Sequence, residues 1–252
     1  MSGHSKWHNI QAKKGVEDAK RGRLFTKITR EVIIAAKAGG GNPDSNSRLR
    51  AALEKAKSAG MPNDNIKKAI MRGTGEMEGV TYEETTYEGY GPNGTAFIIQ
   101  ASTDNKNRTT SEIRRILSQH GGALGENGSV SWGFERKGSL EIDPGDKGYD
   151  DLFMVAVDSG AEDLKQDGET TTVFTAPEDV YKVRQAIEAA GIVVKSASLV
   201  MIPKTLVSVG IEDARKIARL EEALDEHDDV SDYFSNYEMS DEVIKQLEQE
   251  DQ

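Results

Sequence analysis

Lys6, Lys13, Lys14, Lys20, Arg21, Arg23, Lys27 and Arg30 crowd into one short N-terminal segment, with His4, Trp7 and His8 among them. Cations at this density can meet the closely spaced charge of a DNA or RNA backbone, releasing counterions and gaining salt-dependent affinity. An indole beside them can stack on a base. These eight cations and Trp7 are therefore the candidate nucleic-acid-binding residues. The competing reading is a solvated helix face. The context weighs toward contact: Met1–Gly75 holds 16 lysines and arginines against 6 aspartates and glutamates, a net +10, and the remaining residues carry −21, which together make the chain's −11. One basic module on an acidic body is the footprint of local, not global, phosphate binding.

A second candidate lies in Thr103-Asp104-Asn105-Lys106-Asn107-Arg108-Thr109, where a strand gives way to a helix. Asn107 or Thr109 can cap that helix, with Glu112 favouring the dipole. Exposed amides at such an end can also hold an anion, which makes Asn105 and Arg108 possible ligand or partner contacts.

Other patterns carry less. Gly89-Tyr90-Gly91-Pro92-Asn93-Gly94 has the G-x-G-x-x-G spacing, but it falls between two strand-like runs and Pro92 removes an amide. A dinucleotide site needs strand then helix, so a hairpin turn is expected. His4 and His8 have i, i+4 spacing without a third ligand, and His120 and His227 stand alone, so no metal site is expected. No phosphate-binding loop, nucleophile elbow or singled-out carboxylate pair is present, so neither enzymatic activity, cofactor nor small-molecule substrate is expected.

The elements that must position these residues follow from spacing. Helices are predicted over 22–37 (Leu24, Phe25, Ile28, Val32, Ala35 and Ala36 on one side), 45–58 and from Pro62 to about Gly73, punctuated by Gly39-Gly40-Gly41, Asn42-Pro43 and Gly60. The connection is longer than a helix-turn-helix uses, so base reading in a duplex is not implied. Strands are predicted over 85–90, 95–102, 130–135, 139–142, 162–165, 171–175, 192–201 and 230–237, and helices over 110–120, 149–159, 177–190 and 211–226. Residues 137–204 read β-α-β-β-α-β, the ferredoxin-like order. The preceding β-β-α-β lacks a helix and strand that 205–240 would supply. The expected fold is α+β: a basic helical domain over 1–78, a discontinuous α/β domain of 79–136 with 205–240, an inserted ferredoxin-like domain over 137–204, and an acidic tail over 241–252 that reads as a loose helix.

Gly3-His4-Ser5-Lys6-Trp7, Lys13-Lys14-Gly15, Arg23-Leu24-Phe25-Thr26-Lys27, Gly39-Gly40-Gly41-Asn42-Pro43, Ala59-Gly60-Met61-Pro62, Tyr87-Glu88-Gly89-Tyr90-Gly91-Pro92, Thr103-Asp104-Asn105 through Arg108-Thr109, and Gly128-Ser129-Val130-Ser131-Trp132 together resemble YebC-type proteins, in family order. The resemblance implies a helical N-terminal domain followed by two ferredoxin-like domains. It also implies a non-enzymatic regulator of gene expression, labelled a DNA-binding transcriptional regulator, with relatives that act as translational activators or on stalled ribosomes. The family brings no established catalytic residue. The expected partner is DNA or ribosomal RNA, with the ribosome as the alternative target and no membrane. With no cysteine, no apolar span and no secretory leader in the sequence, a cytoplasmic location is expected.

Overall fold

The computed structural model describes residues 18–167 and 170–250. The fold is α+β, a helical N-terminal region followed by sheets and helices. Two compact units divide it: Trp132–Leu206, and the described residues on either side of that insertion. Lys6, Trp7, Lys13 and Lys14 lie outside the described residues.

Three helices open the larger unit: α1 (Asp18–Gly39), α2 (Ser47–Ser58) and α3 (Asn63–Thr74). Ile28, Val32, Ala35 and Ala36 of α1 bury against Leu49, Ala52 and Ala56 of α2 and Ile66 and Ala69 of α3. Leu24, expected on that face, is 38% exposed and lies outside this core. Gly40 takes φ +82 after α1, a conformation that costs glycine little. Asn46 then fixes the corner. Its Oδ1 accepts from Leu49 N (3.0 Å) as the cap of α2, and its Nδ2 donates to Ala35 O and Gly40 O, each at 2.8 Å. Asn46→Ala is expected to cost about 2 kcal/mol, since it removes a cap and takes away the amide that meets the buried Ala35 carbonyl and the Gly40 carbonyl. Urea unfolding checks this, and a cost below about 0.5 kcal/mol would contradict the assignment. At the far end Gly73 lets α3 touch α1: a Cβ there would fall 2.5 Å from the Ile33 carbonyl oxygen and 2.7 Å from Ala36 Cβ.

The same unit continues with β1 (Glu83–Tyr90), β2 (Ala96–Thr103), α4 (Lys106–Gln119) and β3 (Ala123–Leu124). β1 and β2 form an antiparallel hairpin through Pro92–Gly94, with Gly91 N donating to Thr95 O at 2.7 Å. The glycine pattern is a turn, as its flanking strands require.

The inserted unit runs β4 (Phe134–Asp143), α5 (Tyr149–Asp158), β5 (Asp163–Asp167), β6 (Thr170–Thr175), α6 (Val180–Ala189) and β7 (Val193–Pro203). Its sheet order is β5-β6-β4-β7 with every neighbour antiparallel. Leu140, Ile142, Val173, Leu152, Val183 and Ile187 make its core.

The chain then returns through β8 (Val207–Ser208), α7 (Ile211–Glu226), β9 (Val230–Ser235), β10 (Tyr237–Glu238) and α8 (Asp241–Glu250). β9 completes a sheet of order β3-β1-β2-β9, which is how the insertion interrupts one domain without opening it. Phe97, Ile99, Ile113, Leu117, Leu220 and Tyr237 fill the core of this domain.

Two expectations are corrected. The strand expected over 130–135 forms only from Phe134 onward, and Ser131–Gly133 make a single 3-10 turn before it. The third strand is Ala123–Leu124, and Phe134 begins a ten-residue strand that also absorbs the one expected at 139–142. The carboxylate of Glu88, on β1, holds the intervening loop: it accepts from Gly128 N (2.9 Å), Val130 N and Ser131 N (2.8 Å each). Burial opposes ionisation of Glu88, but these amides hold its carboxyl below the usual range. The acidic tail over 241–252, expected as a loose helix, is helical as α8 but not loose: its Ile244 and Leu247 are buried in the sheet domain's core. The helical region keeps a core of its own, and the contacts described below hold it to the sheet domain in one compact unit.

Candidate nucleic-acid interface and its acidic counter-face

The basic side of α1 is largely turned inward. Arg30 Nη1 ion-pairs with Asp229 at 2.5 Å and donates to Asp228 O (2.7 Å) and Ser102 O (3.1 Å). Its guanidinium carbon lies 5.0 Å from the Tyr82 ring centroid, a cation–π distance. The Arg30 side chain is only 12% exposed. One turn back, Lys27 Nζ donates to Asp225 O at 2.8 Å, and burial lowers its pKa although Asp225, Asp228 and Asp232 act in the opposite sense. Arg23 pairs with Glu226 at 3.2 Å. The counter-face is the C-terminal end of α7 with the turn into β9, where helix carbonyls and carboxylates favour cations together. Arg21 is exposed, and Lys20 lies in the first turn of α1. Three of the sequence-predicted contacts, Arg23, Lys27 and Arg30, thus join the helical region to the sheet domain.

Asp229 is the centre of this contact. While Oδ1 meets Arg30, Oδ2 accepts from Thr109 Oγ1 (2.6 Å), Arg108 Nη2 (2.7 Å) and Thr103 Oγ1 (3.1 Å). Burial alone would raise this carboxyl, but these donors outweigh it and hold the pKa down at about 2. The Thr103–Thr109 motif therefore has a definite task. Asn105 caps α4, accepting from Arg108 N at 3.1 Å, in place of the expected Asn107 or Thr109. Arg108 also binds Asp104 at 2.8 Å. Asn105 and Arg108, expected as ligand or partner contacts, are both engaged within the fold.

His227, which the sequence leaves isolated, belongs to the same network. Its Nδ1 accepts from Asp229 N (3.1 Å), so Nε2 carries the proton toward Glu112 Oε2 at 3.0 Å. Glu112, His227 and Asp229 bring donor atoms within 4.8 Å of one another. Both Asp229 oxygens face guanidinium groups, so the cluster is an ion-pair network and not a vacant ligand set.

Besides Arg21, cations outside the dense N-terminal run reach solvent. Lys67, Lys68 and Arg72 fall on the face of α3 opposite Ile66 and Ala69, and with Lys37 of α1 they are exposed and ion-pair with no described residue. Arg72 also lines a shallow cleft with Ile33, Gly79, Val80 and Tyr82. For Lys67, Lys68 and Arg72 the signal in the sequence is the helical spacing of α3, in a shorter and less dense run than Lys6–Arg30. Among the described residues no helix is long and apolar enough to cross a membrane.

These features define an α+β protein whose basic helical region is tied to an acidic sheet domain and whose second sheet unit is inserted into that domain. The model of the TACO1/YebC protein N-terminal domain matches residues 5–76, and that of the TACO1/YebC second and third domain matches residues 82–237. The chain belongs to the TACO1/YebC family. It is 51% identical over 248 residues, 98% of this chain and all of the relative, to a protein of Dictyoglomus turgidum called a probable transcriptional regulatory protein. A relative with the same description from Chlorobium phaeobacteroides is 52% identical over 249 residues, again 98% of this chain and all of the relative. Among solved structures, a conserved hypothetical protein of Aquifex aeolicus superposes with a TM-score of 0.82 at 44% identity, covering 89% of this chain and 93% of that one.

Proposed function

We propose that this family member regulates gene expression by binding a nucleic-acid backbone through its helical region, with DNA as the target and no cofactor, metal or small-molecule substrate. The observation that carries the reading is the charge segregation: net +10 over Met1–Gly75 on a body of −21. The surface of contact is Lys6, Trp7, Lys13, Lys14, Lys20 and Arg21 together with the exposed Lys37, Lys67, Lys68 and Arg72. Phosphate contacts of this kind position a protein and carry little sequence information. The names of the relatives favour DNA. The strand order β5-β6-β4-β7 supports a ferredoxin-like reading of the inserted unit, and the closure of β3-β1-β2 by α7 and β9 supports the same for the interrupted domain. A cytoplasmic site of action fits both.

A second reading, a ribosome-associated translation factor on ribosomal RNA, is favoured by the acidic body, which long naked DNA repels. One set of measurements tests both. Lys13→Glu with Lys14→Glu, and separately Lys67→Glu with Lys68→Glu, are expected to weaken binding of a random-sequence duplex at least tenfold and to lower the salt slope by about 2, one per phosphate contact. Unchanged affinity and slope in both variants would overturn backbone binding. Co-sedimentation with ribosomes that resists duplex competitor, and fails in the variants, would move the target from DNA to ribosomal RNA.

A further inference from the structure

Helix α5 leaves an apolar stripe in water. Tyr149, Phe153 and Val157 follow at i, i+4 and i+8, with Met154 beside them, and they are 45%, 37%, 45% and 60% exposed. The flank of the same helix next to this stripe packs the core through Leu152 and Ala156. An isolated exposed apolar residue is ordinary, but four that adjoin on one helix are a contact surface in want of a partner. Part of the stripe is held in place. Tyr149 Oη donates to Leu164 O at 3.0 Å, and its ring stacks on Phe153 at 6.2 Å between centroids. Rings fixed before contact lose little freedom on binding, the property of an anchoring residue.

Charge says which partner fits. Asp150, Asp151 and Asp158 border the stripe on its solvent side, are exposed, and ion-pair with no described residue. Between Asp146 and Asp163 the chain carries six acidic residues and one lysine. A second copy docked through the same face would set one acidic border against the other. An anionic lipid surface is repelled for the same reason. We infer that α5 is a docking site for an amphipathic helix of another protein whose apolar face covers Tyr149, Phe153, Met154 and Val157 and whose flanking lysines or arginines meet Asp150, Asp151 and Asp158.

The probe is a fourteen-residue leucine–lysine amphipathic peptide, with its leucine–glutamate counterpart as control, added to the full chain. Fluorescence anisotropy gives affinity and hydrogen–deuterium exchange gives location. The lysine peptide is expected to bind and to protect α5, with affinity falling at least tenfold in Met154→Ser with Val157→Ser. Asp150→Asn with Asp151→Asn and Asp158→Asn is expected to weaken binding and flatten its salt dependence while the fold is unaffected. Equal binding to wild type and to the serine variant, protection away from α5, or equal binding of the glutamate peptide would overturn the inference. So would a concentration-dependent dimer, by sedimentation, that the serine variant abolishes, since it would make the occupant a second copy.

Discussion

Asp229→Ala is expected to cost about 3–5 kcal/mol of unfolding free energy, because it strands a buried guanidinium. Arg30 would keep its bonds to Ser102 O and Asp228 O but lose its counter-charge at 12% exposure. The hydroxyls of Thr103 and Thr109 would lose their shared acceptor as well. Arg108→Ala, which removes the other guanidinium from the same carboxylate, is expected to cost only about 1 kcal/mol, since Arg108 is 43% exposed and solvent replaces much of what it gives. Urea denaturation of the two variants, with Arg30→Ala to close a double-mutant cycle, separates a buried pair from an exposed one. Similar small costs for Asp229→Ala and Arg108→Ala would show that the Arg30 pair does not hold the helical region to the sheet. Hydrogen–deuterium exchange gives an independent reading: loss of Asp229 is expected to speed exchange in α1 and at the start of α4, and to leave the inserted sheet unit unchanged.

This network also marks where the sequence stops being legible. On a helical wheel Arg30 and Lys37 are alike, two cations on the polar side of α1. What separates them is Asp229, 199 residues further on, and no local pattern encodes that pairing. The same holds at residues 130–135. Val130, Ser131 and Trp132 alternate as a strand would, but Glu88 takes the Val130 and Ser131 amides from 42 and 43 residues away and turns the segment into a loop. The docking of α8 is hidden differently. Its acidic composition suggests a solvated tail, while Ile244 and Leu247, which meet the core, are only two side chains among many charged ones. Where local chemistry decides, the reading holds. Helix α7 runs over the predicted Ile211–Glu226, with Gly210 before it and Glu212 and Asp213 in its first turn. Asn46 illustrates the middle case: the corner after the glycines is evident in the sequence, whereas the two carbonyls that its amide joins are not. The candidate site follows the same division. That the N-terminal region is basic is a local fact, but which cations face solvent depends on an acidic partner brought in by the last third of the chain.

The second large effect expected is a loss of stability as pH rises through neutrality, with Glu221 as its source. Glu221 lies in the sheet domain's core at 3% exposure, and its Oε1 accepts from Tyr237 Oη at 2.9 Å. Burial pushes its pKa up to about 8, with the nearby Asp225 adding to the rise and the Tyr237 hydroxyl opposing it. In the unfolded chain the same carboxyl titrates near its ordinary value, roughly 4.3. The folded state therefore holds a proton that the unfolded state has released. The stability associated with that proton is complete below about pH 4, declines between pH 4 and 8, and is gone above the folded pKa; its full extent is on the order of 5 kcal/mol. Asp229 has the opposite sign. Its pKa is depressed to about 2, so its contribution, about 2 kcal/mol, is present above pH 4 and is lost as pH falls toward 2. Together the two groups place their joint optimum near pH 4 to 5. Glu221→Gln keeps an acceptor for Tyr237 and removes the titration, so it is expected to flatten the decline between pH 5 and 8 and to leave the acid limb in place. Unfolding free energies measured at pH 5, 6.5 and 8 decide it. Parallel pH profiles for the wild type and the glutamine variant would mean that Glu221 is ionised in the folded core, and that the acceptor role toward Tyr237, not the proton, is what the position supplies.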